Sequence, residues 1–164
     1  MLQILRDNER MFKPSPRRQV IGESLFAGVL RGQVKCAAAK VGLVKTLNDV
    51  VRNMVPNHHF TTIVINRNTQ SRPHVDAYNT GPSIITSVGM HTGGELVVGG
   101  IPIDIHNRIV QFSGKVEHYN EMYDGERYSI IWFVHSSFRS VDVSKLIALG
   151  FNPPPTDPPK PKLQ

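Results

Sequence analysis

Thr61-Thr62-Ile63-Val64-Ile65, followed shortly by His74-Val75-Asp76, is the stretch on which the reading of this chain turns. Five β-branched residues in a row predict a strand. His74 and Asp76 are two residues apart, so at a strand end both side chains face the same way. A further histidine, His118, comes 42 residues after Asp76 and ends the short apolar run Val116-Glu117-His118. Two imidazoles and one carboxylate are the donor set that holds a non-haem Fe(II) while leaving positions open. The tripeptide alone is weak evidence, because a chain with seven histidines produces it easily by chance. Its surroundings decide its value.

Working outward, the chain from residue 61 onward reads as short strands: Ser83–Val88, Glu95–Val98, Ile101–Ile105, Ile109–Phe112, Val116–His118 and Tyr128–Val134. Gly93-Gly94, Gly99-Gly100, Asn107-Arg108, Ser113-Gly114 and Asp124-Gly125 separate them as turns. This pattern predicts a mainly β fold with flanking helices, a sandwich or jelly roll. Ahead of the strands, Leu43, Val44, Leu47, Val50, Val51, Met54 and Val55 recur at helical spacing until Pro56. They predict a helix over 41–55 that buttresses one face of a sheet. No internal repeat is visible.

At 164 residues the chain suits one domain, here 21–148 with its β-core at 61–138. Residues 1–20, broken by Pro14-Ser15-Pro16-Arg17-Arg18, read as a flexible basic segment. Residues 152–164, with Pro153-Pro154-Pro155, Pro158-Pro159 and Pro161, read as an extended tail. No apolar run reaches the length of a membrane span, and no signal-peptide pattern opens the chain. A single cysteine, Cys36, excludes a disulfide framework and a cysteine-based zinc site. The expectation is an intracellular protein with Cys36 as an inert thiol. The net charge of +6, with early arginines and lysines, suits either a solvated basic face or a surface that attracts phosphate. His58, His59, His91 and His106 read as surface or loop histidines.

Nine residues after His118, Arg127 opens the last strong strand, and Ser129 shares its face. A guanidinium pairs with a carboxylate in a two-pronged geometry, and a hydroxyl adds a hydrogen bond. Next to a candidate iron site, the pair suits the distal carboxylate of 2-oxoglutarate. Trp132 points away from Phe133 on a regular strand and is assigned to packing.

On these residues, segment 61–135 resembles the double-stranded β-helix (cupin-like) core of Fe(II)/2-oxoglutarate dioxygenases. The order His-x-Asp, distal His, Arg-x-Ser matches, with Gly-Gly-Glu-Leu between. It resembles most the TET/JBP family, which oxidises the methyl group of 5-methylcytosine or thymine in DNA. That family's first motif continues to Asn or Asp, here Asn79. Its last motif continues to an aromatic and a histidine, here Phe133 and His135. The stretch from Val20 to Phe138 is also similar to short dioxygenase-domain proteins of dinoflagellates and other protists. The cysteine-rich region and large insert of animal members are absent, and the gap from His118 to Arg127 is short.

The resemblance implies Fe(II) on His74, Asp76 and His118, with 2-oxoglutarate and O2 as co-substrates. It implies 2-oxoglutarate held by Arg127 and Ser129, with Asn66 touching it. Asn79, Phe133 and His135 would contact a base flipped out of DNA, which implies a nuclear protein. Ascorbate is an alternative co-substrate. A protein side-chain hydroxylase, for example of proline, and a non-catalytic DNA- or partner-binding jelly roll are the rival functions. Oligomeric state is not legible.

Overall fold

The computed structural model of the chain describes residues 1–156. Its helices are α1 (Leu2–Asp7), α2 (Val41–Met54) and α3 (Val143–Ala148). Its strands are β1 (Lys13–Pro14), β2 (Val20–Leu30), β3 (Gln33–Lys35), β4 (Thr62–Ser71), β5 (Asn79–Val88) and β6 (His91–Gly93). They continue with β7 (Leu96–Val98), β8 (Ile101–Ile103), β9 (Val110–Phe112), β10 (His118–Asn120), β11 (Tyr123–Gly125) and β12 (Tyr128–His135). The major sheet runs β1-β2-β4-β12-β5-β9, with β3 also paired to β2. Facing it are the smaller ladders β10-β7-β8 and β11-β6. All the strand pairs are antiparallel. This is the jelly-roll arrangement expected from the strand pattern; it does not close into a barrel.

The two-residue period of the central strands sorts side chains between a core and a cavity. On β12, Tyr128, Ile130, Trp132 and Val134 join the main core, while Ser129, Ile131, Phe133 and His135 line a cavity on the other face. On β4, Ile63 and Ile65 go to the core, and Val64 and Asn66 to the cavity. Helix α2 covers the core face with Leu43, Val44, Leu47 and Val51. Burial of such side chains is the main driving force, about 1.5–3 kcal/mol each. Trp132 is fully buried there, and its indole N–H donates to Asn48 Oδ1 at 3.1 Å. Asn48 Nδ2 in turn donates to the Leu149 carbonyl, so the polar atoms α2 brings inside are paired. A smaller apolar cluster, Ile85, Leu96, Ile105 and Phe112, closes the space between the sheets.

The N-terminal segment departs from the flexible arm expected of it. Leu5 and Phe12 are buried in the main core, and the Phe12 ring meets Tyr128 edge-on at 5.8 Å. Strand β1 pairs Lys13 with Ser24 and Pro14 with Glu23, and Arg6 forms a 2.6 Å ion pair with Glu126. Two well-spaced apolar anchors suffice to fix a segment whose composition is mostly basic and polar. At the other end, Asn152 bridges to Phe60; the remainder of the expected proline-rich tail, from residue 157, lies outside the described residues. His58 and His91 also differ from expectation, since both are buried. No described helix is long and apolar enough to cross a membrane.

Candidate active site

The cavity between the two sheets has a volume of about 640 Å³ and contains every site residue predicted from the sequence. A second hollow of about 370 Å³, beside His58 and Arg139, contains none of them.

His74 and His118 are brought together by the backbone. Each donates its N–H to the other's carbonyl, at 3.1 and 2.9 Å, and their rings lie 4.4 Å apart. Asp76 is tied down by its own N–H to the Gly114 carbonyl at 2.8 Å. His118 Nε2 lies 3.4 Å from Asp76 Oδ2, and His74 Nε2 lies 3.7 Å from Asp76 Oδ1. One donor atom from each of the three falls within 4.8 Å of the others.

The tautomers of both histidines follow from their partners. His74 Nδ1 sits 2.7 Å from the Arg72 carbonyl, and His118 Nδ1 sits 2.8 Å from the Val116 carbonyl. A carbonyl only accepts, so each neutral ring carries its proton on Nδ1 and points a lone pair from Nε2 at Asp76. Two lone pairs and a carboxylate converging in this way repel one another unless a metal ion lies between them or one ring takes up a second proton. The outer hydrogen bonds are those that orient metal-bound imidazoles, and the donor set fits Fe(II). Burial holds the His74 imidazole below its ordinary pKa. For His118 burial also pulls down, but the Asp76 carboxylate and the Val116 carbonyl outweigh it and leave the ring above its ordinary value. Gly114 is shaped by this site: a Cβ there would stand 2.9 Å from Asp76 Oδ2 and 3.2 Å from Asn79 Nδ2.

At the other end of the cavity, Arg127 is buried and burial lowers its pKa to about 10. Its Nη2 donates to the Gly94 carbonyl at 2.9 Å, and the guanidinium stacks over Tyr123 at 5.2 Å. Its Nε has no hydrogen-bond partner among the described residues. None of their ion pairs within 4 Å involves Arg127. A buried cation with no ion-pair partner within 4 Å is costly, so the arrangement suits a bound anion. Gly94 has φ +83°, and a Cβ there would meet Arg127 Nε at 2.7 Å; the Gly93-Gly94 turn is thus the guanidinium's seat. Ser129 is adjacent, and its Oγ accepts from Asn66 Nδ2 at 3.2 Å.

Asn79 and His135 are directly opposite each other on β5 and β12, beside a register shift at Trp132/Val134. Asn79 Nδ2 donates to Asp76 Oδ2 at 3.2 Å. His135 Nδ1 accepts from the Ser137 backbone N–H at 3.1 Å and contacts Ser137 Oγ at 2.9 Å. Burial keeps the His135 ring below its ordinary pKa, hence neutral at pH 7, with its proton on Nε2. Phe133 lines the same cavity, partly exposed.

Three residues that sequence reasoning did not select also belong here. Tyr78, largely exposed, stacks on His135 at 5.9 Å and 9°. Ser137 orients His135 from outside the Arg-x-Ser strand. Arg17 lines the cavity and donates from Nη2 to Asn66 Oδ1 at 2.8 Å. The Tyr78 signal was available, as an aromatic inside the His-x-Asp-x-x-Asn loop; the other two depend on distant partners.

No protein-family model and no curated protein sequence matches the chain. Solved structures do. One is described as NgTET1 in complex with 5mC DNA; it is 12% identical with a TM-score of 0.56, over 89% of this chain and 74% of that one. Another is an oxidoreductase of the 2OG-Fe(II) oxygenase family from Burkholderia pseudomallei. It is 18% identical with a TM-score of 0.56, over 80% of this chain and 76% of that one. The chain therefore shares the fold of these two solved structures.

Proposed function

We propose that the chain is an Fe(II)/2-oxoglutarate-dependent dioxygenase that hydroxylates the methyl group of a modified pyrimidine base in DNA. His74, Asp76 and His118 hold the metal, and Arg127 with Ser129 holds the distal carboxylate of 2-oxoglutarate. Bound together, iron, 2-oxoglutarate and O2 supply the oxidising power for C–H hydroxylation. The chain's own residues position the base and keep water from it.

The observation that carries the reading is the pair Asn79 and His135. Asp76 is a carboxylate and only accepts, so it fixes which end of the Asn79 amide faces it and leaves Asn79 Oδ1 as a free acceptor. The Ser137 N–H only donates, so it leaves His135 Nε2–H as a free donor. An acceptor and a donor side by side complement the cytosine edge, whose N4 amine donates and whose N3 accepts. Thymine presents the reverse, an N3–H donor and an O4 acceptor. Asn79 is held on Asp76, so the acceptor stands at the metal end, where a base that presents its methyl to the metal carries its 4-substituent. That placement favours the N4 amine of 5-methylcytosine, with thymine as the second reading. A prolyl hydroxylase has no use for such a pair. The structural neighbour described with 5mC DNA agrees with this choice.

Extruding a base costs about a few kcal/mol. Stacking on an aromatic such as Phe133 returns about 1–3 kcal/mol. Arg10, Lys13, Arg18, Arg31 and Lys35 are exposed and available to phosphates. The test is mass spectrometry of nucleosides and peptides after incubation with Fe(II) and 2-oxoglutarate. Methylated DNA should yield 5-hydroxymethylcytosine. Hydroxylation of a prolyl peptide, with the DNA untouched, would refute the proposal.

A further inference from the structure

Arg17 lines the cavity, and neither the motifs nor the fold accounts for it. It belongs to the turn 15–19, which is stitched in place at both ends. Ser15 N–H donates to the Gly22 carbonyl at 2.9 Å, and Arg72 N–H donates to the Gln19 carbonyl at 2.8 Å. The second bond ties the turn to the loop that carries His74. The turn thereby inserts Arg17 into the wall of the cavity, against Asn66 Oδ1. Although Arg17 as a residue is partly exposed, burial lowers its guanidinium's pKa, so the charged head is the part withdrawn from water. Among the described residues, no ion pair within 4 Å includes it. Two arginines nearer the surface differ: Arg6 has Glu126, and Arg67 has Glu9 and Glu23.

The cavity therefore has two unpaired arginines, and they serve opposite ends. Arg17 lines the cavity at the His74 end, because its turn is tied through the Gln19 carbonyl to the N–H of Arg72, two residues before His74. Arg127 lies with Tyr123, Glu95 and Gly94. Asn66 and Ser129 link the two ends, since Asn66 accepts from Arg17 and donates to Ser129. Two cations at the two ends of one cavity match a short dicarboxylate. With a divalent metal also present, a dianion neutralises the site better than a monoanion such as ascorbate.

We propose that Arg17 is a second anion-binding residue of this cavity, which together with Asn66 receives the carboxylate of 2-oxoglutarate nearest the His74–Asp76–His118 group. The inference rests on the co-substrate reading above and adds a residue to it. It also makes the N-terminal turn part of the co-substrate site, so that the site is complete only when that turn is docked.

The test is calorimetric binding of 2-oxoglutarate, and of 2-oxobutyrate, which lacks the distal carboxylate, to the Mn(II)-loaded chain without oxygen. Arg17→Met should weaken both acids by about tenfold or more, the scale of a lost charge-assisted hydrogen bond. Arg17→Lys, which keeps the charge, should recover part of the loss. Arg127→Met should weaken 2-oxoglutarate but leave 2-oxobutyrate unchanged. The melting temperature of Arg17→Met should equal or exceed that of the wild type, because an unpaired buried charge has been removed. Unchanged affinity for 2-oxoglutarate would overturn the proposal. So would a loss confined to DNA binding, which would make Arg17 a phosphate contact, and so would a lowered melting temperature, which would make it structural. A wild-type chain that binds no 2-oxoglutarate would remove the co-substrate reading itself, and is distinguished by failing before any substitution is made.

Discussion

Gly114→Ala tests whether the triad is held to metal-binding tolerance. The new Cβ would stand 2.9 Å from Asp76 Oδ2 and 3.2 Å from Asn79 Nδ2, whereas ordinary van der Waals contact begins at 3.4 Å. Gly114 has no positive φ, so the backbone accepts alanine and the whole effect is steric. Asp76 must retreat by about half an ångström, which is the positional tolerance of a functional site. Its N–H is anchored on the Gly114 carbonyl, so the retreat falls on the side chain that carries the ligand oxygens. Disturbing the groups that orient metal ligands typically weakens metal binding by about 10–100-fold. The assay is calorimetric titration of the chain with Mn(II) or Co(II), alongside its thermal unfolding. The expected result is weaker metal binding with the metal-free melting temperature little changed. Metal affinity equal to that of the wild type would refute the claim that Gly114, Asp76 and Asn79 form one packed unit around the metal.

Other substitutions and conditions give separate checks. Gly42→Ala lies on α2 with open space around the added methyl, so it should stabilise the fold by up to about 1 kcal/mol in urea unfolding. Leu47→Ala, in the buried face of α2, should cost about 2–5 kcal/mol in the same assay. Arg127→Met should raise the apparent KM for 2-oxoglutarate about 10- to 150-fold, the equivalent of losing about 1.5–3 kcal/mol of charged hydrogen bonding. Burial depresses the pKa of His58, His91 and His135 in the folded chain. The unfolded chain then binds more protons just below the ordinary histidine value of about 6.5, so stability is fully present above that pH and falls as pH drops through the folded values. Urea unfolding of the metal-free chain should show lower stability at pH 5.5 than at 7.5; equal stability would contradict the assigned direction.

Much of the site was legible because its residues sit on locally patterned elements. Arg127, Ser129, Phe133 and His135 alternate on one face of β12, and a two-residue period can be read from the sequence alone. His74 and Asp76 took their value from that context, because their spacing alone arises easily in a chain with seven histidines. Strand β2 was missed: its core positions Leu25, Ala27 and Val29 are interrupted by Gly22, Ser24 and Gly28, which blurs the alternation. The docking of residues 1–20 was hidden for a related reason, since Leu5 and Phe12 are two anchors in a basic segment with no sustained period. Arg17 and Ser137 were illegible in principle. Arg17 acquires its role from Asn66, 49 residues away, and Ser137 Oγ is held by the N–H of Gly32, 105 residues away. The buried His91 ring lies 4.1 Å from that of His106, tilted by 36°, another contact set by tertiary packing rather than local pattern.

The most direct measurement is a competition within one DNA duplex that carries both 5-methylcytosine and thymine, incubated with the chain, Fe(II) and 2-oxoglutarate and read by nucleoside mass spectrometry. The fixed polarity of Asn79 and His135 predicts 5-hydroxymethylcytosine in clear excess over 5-hydroxymethyluracil. A predominance of 5-hydroxymethyluracil, or succinate release with neither base oxidised, would contradict it.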